Sequence, residues 1–345
     1  MLAFVLLLAV GGLSAVVTVP YVRFSPGPTV DVLGELSAGK PIISVNGHET
    51  YKTSGQLRMT TVSQTRRESN MSLWAALSAW ANPSQALLPY DVIYRDDSTP
   101  EQDRTEGRLE MVSSQDNATA AALKELGYQL APRPAVLMTV PGGAADGQLK
   151  AHDVIVSVNG SAISEAKQVQ DIVRALKPGD RVAVDVLRNG KPRSFTLTTK
   201  PDAQDPKRAL IGIQMGLGYD FPFQVSVQVP EEIGGPSAGL IFSLAIYDTL
   251  TPGELTAGRS IAGTGTIDEQ GKVGPIGGIQ QKIAAAEEAG ATLFLVPPDN
   301  CDEAIAADTD LELVRADTMH SALEAIKAYA ANQDAALPAC KGAES

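Results

Sequence analysis

Apolar positions along this chain follow three different patterns. Residues 2–19 (LAFVLLLAVGGLSAVVTV) form one uncharged run, close to what a helix needs to cross ~30 Å of hydrocarbon. The run reads as an N-terminal transmembrane anchor or a signal peptide. A cleavable signal has a basic start and a small-x-small site; the first is missing and the second is indistinct, so an uncleaved anchor over 1–20 is expected. From 29 to 62 the pattern turns β-rich, with alternating runs at Pro41–Val45 and Leu57–Val62. Ser72–Ala81 carries Leu73, Trp74, Leu77 and Trp80 at helical spacing. That predicts a short amphipathic helix with its tryptophans in the core, in preference to touching lipid. Asn117–Leu126 predicts a second helix, ended by Gly127.

Further on, strands are predicted at Val136–Val140, Val154–Val158 and Val182–Leu187, with a helix over Glu165–Leu176. Asn189-Gly190 is a two-residue hairpin turn leading into Ser194–Thr198. Pro201–Ala209 reads as a polar linker. Beyond it lie a strand at Phe223–Val229, a helix at Pro236–Leu250, and a strand at Ser260–Ile267. A helix at Ile279–Gly290, a buried strand at Thr292–Val296 and a closing helix at Ser321–Ala331 complete the series. The class is α+β.

Composition narrows the function. The 345 residues are 44% hydrophobic and 20% charged, values of a folded chain. The balance of 40 acids and 28 bases gives −12, which repels a phosphate backbone, so nucleic acid is not an expected partner. His48, His152 and His320 are scattered without ligand spacing, so neither a metal nor another cofactor is expected. Cys301 and Cys340 are the two cysteines. They pair if the folded part lies outside the cytoplasm, and otherwise are two unrelated thiols.

The chemistry concentrates at Gly235-Pro236-Ser237-Ala238-Gly239 and at Lys282 within Gly277-Gly278-Ile279-Gln280-Gln281-Lys282-Ile283. Serine is a weak nucleophile until a base takes its proton. Lysine serves as that base only if burial lowers its pKa from about 10.4. Ile279, Ala285 and Ala286, its neighbours on a helix, are apolar. The bland readings are a helix-capping Ser237 and a solvated Lys282. The pentapeptide also fits G-x-S-x-G, but a hydrolase elbow needs a strand directly before the serine and a histidine partner. Here Pro230–Gly234 intervenes and only His320 follows.

Residues 223–335 resemble the proteolytic domain of the Lon family, a serine–lysine peptidase. The resemblance rests on Gly-Pro-Ser-Ala-Gly around Ser237, Thr264-Gly265-Thr266-Ile267, and Val273–Lys282. It implies Ser237 as nucleophile, Lys282 as general base and Thr264 as the residue that orients the amine, with amides at the helix start facing the oxyanion. Gly55–Val62 and Gly107–Leu126 resemble the opening of the same domain.

Between these halves, Pro141–Ala145 and Leu149–Gly160 are similar to PDZ domains of HtrA-type bacterial proteases. That implies a β-rich, partly open barrel. It places Leu126, Gly127 and Tyr128 at the carboxylate-binding loop and Gln129–Ala131 as the strand a peptide would augment, unless Gly127 is only a helix cap. The expected organisation is an anchor (1–20), a protease half (21–125), an inserted PDZ module (126–200), the catalytic half (201–335) and a tail (336–345). Gly34–Lys40 imitates a nucleotide-binding loop, but Pro41 stands where a Ser or Thr should hold Mg²⁺. The resemblance as a whole implies a single-pass, ATP-independent endopeptidase facing out of the cytoplasm. Its partners would be unfolded or flexible secreted or membrane polypeptides, and it would form a homo-oligomer, by family a hexamer. The rivals are a non-catalytic PDZ adaptor and an esterase dependent on His320.

Overall fold

The computed structural model describes residues 12, 14–36, 39–67, 69, 71–94, 98–230 and 232–340. Two sheets organise it. The first, of six strands, contains β1 (Tyr21–Asp31), β2 (Gln56–Gln64), β3 (Ala86–Pro89) and three later strands. The second is built from β4 (Pro132–Thr139), β5 (Val154–Val158), β6 (Arg181–Arg188), β7 (Lys191–Thr198) and β8 (Ile213–Tyr219). The later strands of the first sheet are β9 (Ser260–Gly263), β10 (Leu293–Val296) and β11 (Glu312–Arg315), and its order is β11-β10-β9-β2-β1-β3. Strands β2, β9, β10 and β11 run parallel, whereas β1 is antiparallel to both β2 and β3. All four residues of β10 are buried, as expected of a strand covered on both faces.

Seven helices of four or more residues matter to the site and its surroundings: α1 (Leu73–Trp80), α2 (Tyr90–Ile93), α3 (Pro100–Glu125), α4 (Ala166–Arg174), α5 (Gly239–Leu250), α6 (Ile279–Glu288) and α7 (Met319–Ala331). Ten of the twelve residues of α5 are buried. A helix apolar all round must be enclosed, and α5 lies against α3 and β2. Gly239 permits this. A Cβ there would come within 2.8 Å of Ile267 Cγ2 and 3.0 Å of Ser114 Oγ.

Several expectations change. Helix α3 begins at Pro100, not near 117, with Thr99 and Gln102 forming a capping box. Its first turns are charged and solvated, so hydrophobic spacing could not mark them. Residues 201–209 are not a free linker. Lys200–Pro201 pairs with Ala209–Leu210 in a hairpin, and Asp202 meets Arg208. Strand β8 then pairs along β4 from Ile213↔Thr139 to Tyr219↔Pro132, so this sheet continues well past residue 200. The tryptophans are not in the core: Trp74 is 61% and Trp80 80% exposed, while Ala76 and Ala79 face inward. Both sets recur every three residues, and spacing alone did not say which set the sheet would take.

Cys301 and Cys340 form a disulfide, fastening the tail where Arg315 N–H donates to Pro338 O. Among the described residues no helix is long and apolar enough to cross a membrane. Most of the expected anchor at 1–20 lies outside the described residues.

Candidate active site

Ser237 sits just before α5 on a loop held from behind by α3. Gly235 N–H donates to Gly107 O (2.9 Å), and Ser114 Oγ donates to Pro236 O (3.0 Å). Opposite stands α6, whose start is set by Gly278 at φ +71°. A Cβ at Gly278 would meet Val62 Cγ2 at 2.8 Å, so glycine allows both the turn and the approach to β2. One turn on, Lys282 points inward. Its Nζ is 2.8 Å from Ser237 Oγ and 3.0 Å from Thr264 Oγ1. Thr264 follows directly after β9, and its hydroxyl donates to Ser237 O (3.0 Å). With that proton committed, Thr264 Oγ1 must accept from the amine, which fixes the direction of the contact. Gly265 N–H also donates to Ser237 O (2.8 Å), pinning the nucleophile's backbone. The structure brings together all three residues predicted from sequence.

Burial decides the electrostatics. Lys282 is 3% exposed and Thr264 1%, while Ser237 is half-buried. With no carboxylate beside it among the described residues to favour the cation, the Lys282 amine is pushed down to about 8 by desolvation. At neutral pH roughly a tenth of the molecules then hold a neutral amine, about 300-fold more than an unperturbed lysine would give. A neutral amine 2.8 Å from a serine hydroxyl is within reach to accept its proton. Among the described residues, the Ser237 and Ala238 amides make no backbone hydrogen bond.

The pair opens on a cleft of about 1020 Å³ lined by residues 59–64 of β2, Met111, residues 232–238 and residues 275–277. Strand β2 pairs with β9 only from Gln56 to Met59. Its next five residues therefore leave that side unpaired by β9 and run along the cleft wall.

Other predicted residues lie elsewhere. His320 Nδ1 is 2.7 Å from Glu125 Oε1 on the surface, and it makes no hydrogen bond to Ser237 among the described residues. Leu126, Gly127 and Tyr128 close α3. The Gly127 amide donates to Lys124 O and the Tyr128 amide to Leu123 O. Those amides serve the helix end. Gln129–Ala131 is not a strand, and β4 is an interior one, paired with both β5 and β8. A cavity of about 340 Å³ does lie in that module between α4 and residues 209–215, lined by Val169, Val173, Leu210, Ile211, Ile213 and Met215. The supporting pair Gly107 and Ser114 carried no sequence signal, because each acts on a loop more than a hundred residues away.

Comparison with known proteins follows this division. Residues 221–327 match the Lon protease (S16) C-terminal proteolytic domain and residues 124–199 a PDZ domain. The chain is similar to the Lon protease of Campylobacter concisus, 31% identical over 147 residues, which is 41% of this chain and 18% of that protein. It is similar also to the Lon protease of Porphyromonas gingivalis, 42% identical over 127 residues, 33% of this chain and 15% of that protein. The chain thus spans about a fifth or less of the length of these curated relatives. Among solved structures, the PDZ domain of the SdrC-like protein of Listeria monocytogenes is 24% identical, covering 24% of this chain and 86% of that one at a TM-score of 0.22, too low a score to argue from. Ser237, Thr264 and Lys282 all fall within the stretch that matches the Lon proteolytic domain, and this match, with Lon proteases as relatives, supports a serine endopeptidase.

Proposed function

We propose that the chain is a membrane-anchored, ATP-independent endopeptidase working through a Ser237–Lys282 dyad. The observation that carries this reading is the buried amine 2.8 Å from the serine hydroxyl. Neutral Lys282 takes the Ser237 proton as Oγ attacks the peptide carbonyl. The Ser237 and Ala238 amides receive the oxyanion. Lys282, now protonated, gives its proton to the departing amine, leaving an acyl-serine. A water deprotonated by the same lysine then hydrolyses that ester. Thr264 positions the amine and does not itself react.

The substrate is an extended polypeptide laid along residues 60–64 of β2, so folded proteins must be loosened first. The chain's own β2 and β9 supply one sheet from 21–125 and 201–335, with the PDZ-matching module inserted between them. That module recruits polypeptide ends through the groove between α4 and residues 209–215. The apolar run at 2–19 anchors the protein. The Cys301–Cys340 disulfide favours an oxidising compartment outside the cytoplasm, where substrates are secreted or membrane proteins.

The test is digestion of casein or a flexible peptide by the full chain without nucleotide. Wild type should cleave, and Ser237→Ala and Lys282→Ala should not. His320→Ala should retain full activity. An active Lys282→Ala variant would overturn the dyad; inactivity of every form, with peptide binding retained, would favour an adaptor.

A further inference from the structure

We infer that helix α1 and the edge around it form a docking surface for a lipid bilayer, lying in the headgroup region beside the apolar N-terminal run. This rests on the anchorage proposed above and adds a second contact with the same membrane.

The observations begin with α1. Residues three apart on a helix are separated by 300° of rotation, or about 60° backwards. Trp74, Leu77 and Trp80 therefore sweep one continuous arc with Leu77 at its centre. These three are 61%, 48% and 80% exposed. The patch does not stop at the helix. Leu88 of β3 is 39% exposed, Val92 of α2 66%, and Tyr21 at the start of β1 41%. Single exposed apolar residues need no explanation, but several gathered on α1 and on the elements beside it do. Residues 71–93 hold one charged side chain, Asp91, unlike the rest of this acidic chain.

What covers this face follows from where the apolar run ends. Val16 and Val17, at its close, are 78% and 41% exposed. The next residues are tied directly to the helices. Thr18 pairs with Ser72 and Val19 with Met71. Leu73 N–H donates to Val17 O at 2.7 Å, and Tyr90 N–H donates to Pro20 O at 3.0 Å. The exit of the run is thus hydrogen-bonded to the first residue of α1 and the first of α2. Whatever plane the run enters, α1 and α2 lie at that plane, about one strand spacing of 4.8 Å away. Tryptophan and tyrosine, with an apolar body and one polar N–H or O–H, favour that boundary. The scarcity of charge lets a net-acidic protein approach without repelling lipid headgroups.

The chain's two tryptophans are Trp74 and Trp80, so its intrinsic indole emission reports on this face alone. The full chain is reconstituted into phosphatidylcholine vesicles and floated on a density gradient. Indole emission is then quenched by aqueous iodide, by lipids spin-labelled near the headgroup, and by lipids labelled near the acyl end. The expected result is flotation, iodide quenching several-fold weaker than in unfolded protein, and stronger quenching by the headgroup-proximal label than by the deep one. Leu77→Asp should still float and still hydrolyse peptide in detergent, but regain iodide quenching. Flotation with full iodide quenching overturns the docking surface and leaves the anchor standing. Protection from iodide without quenching by either lipid label also overturns it, since protein would then cover the face. Failure to float removes the anchorage, and the docking surface with it.

Discussion

Replacing Lys282 with methionine separates catalysis from stability. The side chain is 3% exposed, and methionine fills a similar volume without the charge. Lys282 titrates near 8 in the fold against an ordinary 10.5. Forcing the cation into that site therefore costs roughly 3 kcal/mol. The sign follows from proton counts. Between about 8 and 10.5 the unfolded lysine keeps a proton that the folded one has lost. Stability rises with pH wherever the unfolded state binds more protons. The wild type thus carries the full cost below about pH 8 and sheds it by about pH 10.5. Methionine never carries it, but forfeits the contacts to Ser237 and Thr264, about 1 kcal/mol each. Lys282→Met should be more stable than wild type by about 1 kcal/mol near neutral pH and less stable by about 2 kcal/mol in strong alkali. Urea melts across that range measure the crossover. Peptidase activity should fall by roughly 10²–10⁴-fold, while the wild-type kcat/KM rises with an apparent pKa of about 8. A variant that cleaves normally, or a stability difference flat with pH, would refute the reasoning.

Three further outcomes are expected. Thr264→Val removes the acceptor that orients Nζ and the donor to Ser237 O; kcat should drop roughly tenfold for a loss of about 1.4 kcal/mol, and Thr264→Ser should restore it. Reducing the Cys301–Cys340 bridge, which closes a separation of 39 residues, should lower stability by roughly 4 kcal/mol on chain entropy, read as a shift in the urea midpoint that Cys340→Ser reproduces. His152 lies 2.7 Å from Asp116 of α3. Burial pulls its pKa down, but the Asp116 carboxylate outweighs that and the net direction is up. That stabilisation is complete below pH 6.5 and is lost as pH rises through the raised value. His152→Gln should therefore flatten the pH dependence of stability in that window, measured by thermal melts.

Local physics made much of this chain legible in one dimension. The apolar neighbours of Lys282 on its own helix pointed to a partly desolvated amine, because helical neighbours are fixed by spacing of three and four. Asn189-Gly190 marked a tight turn for a similarly local reason. Buried strands such as β10 were readable from their unbroken apolar run. Decisions between segments were not readable. Which of two three-residue series on α1 faced the sheet depended on a partner surface, and Ala76 and Ala79 took it. The Cys301–Cys340 bond needed the tail laid beside β11, and the cavity of the PDZ-matching module needed β8 to pair with β4. The 2.8 Å contact of Ser237 with Lys282 spans 45 residues. It exists because α5, β9 and α6 pack around one core, and sequence spacing carries no measure of that distance.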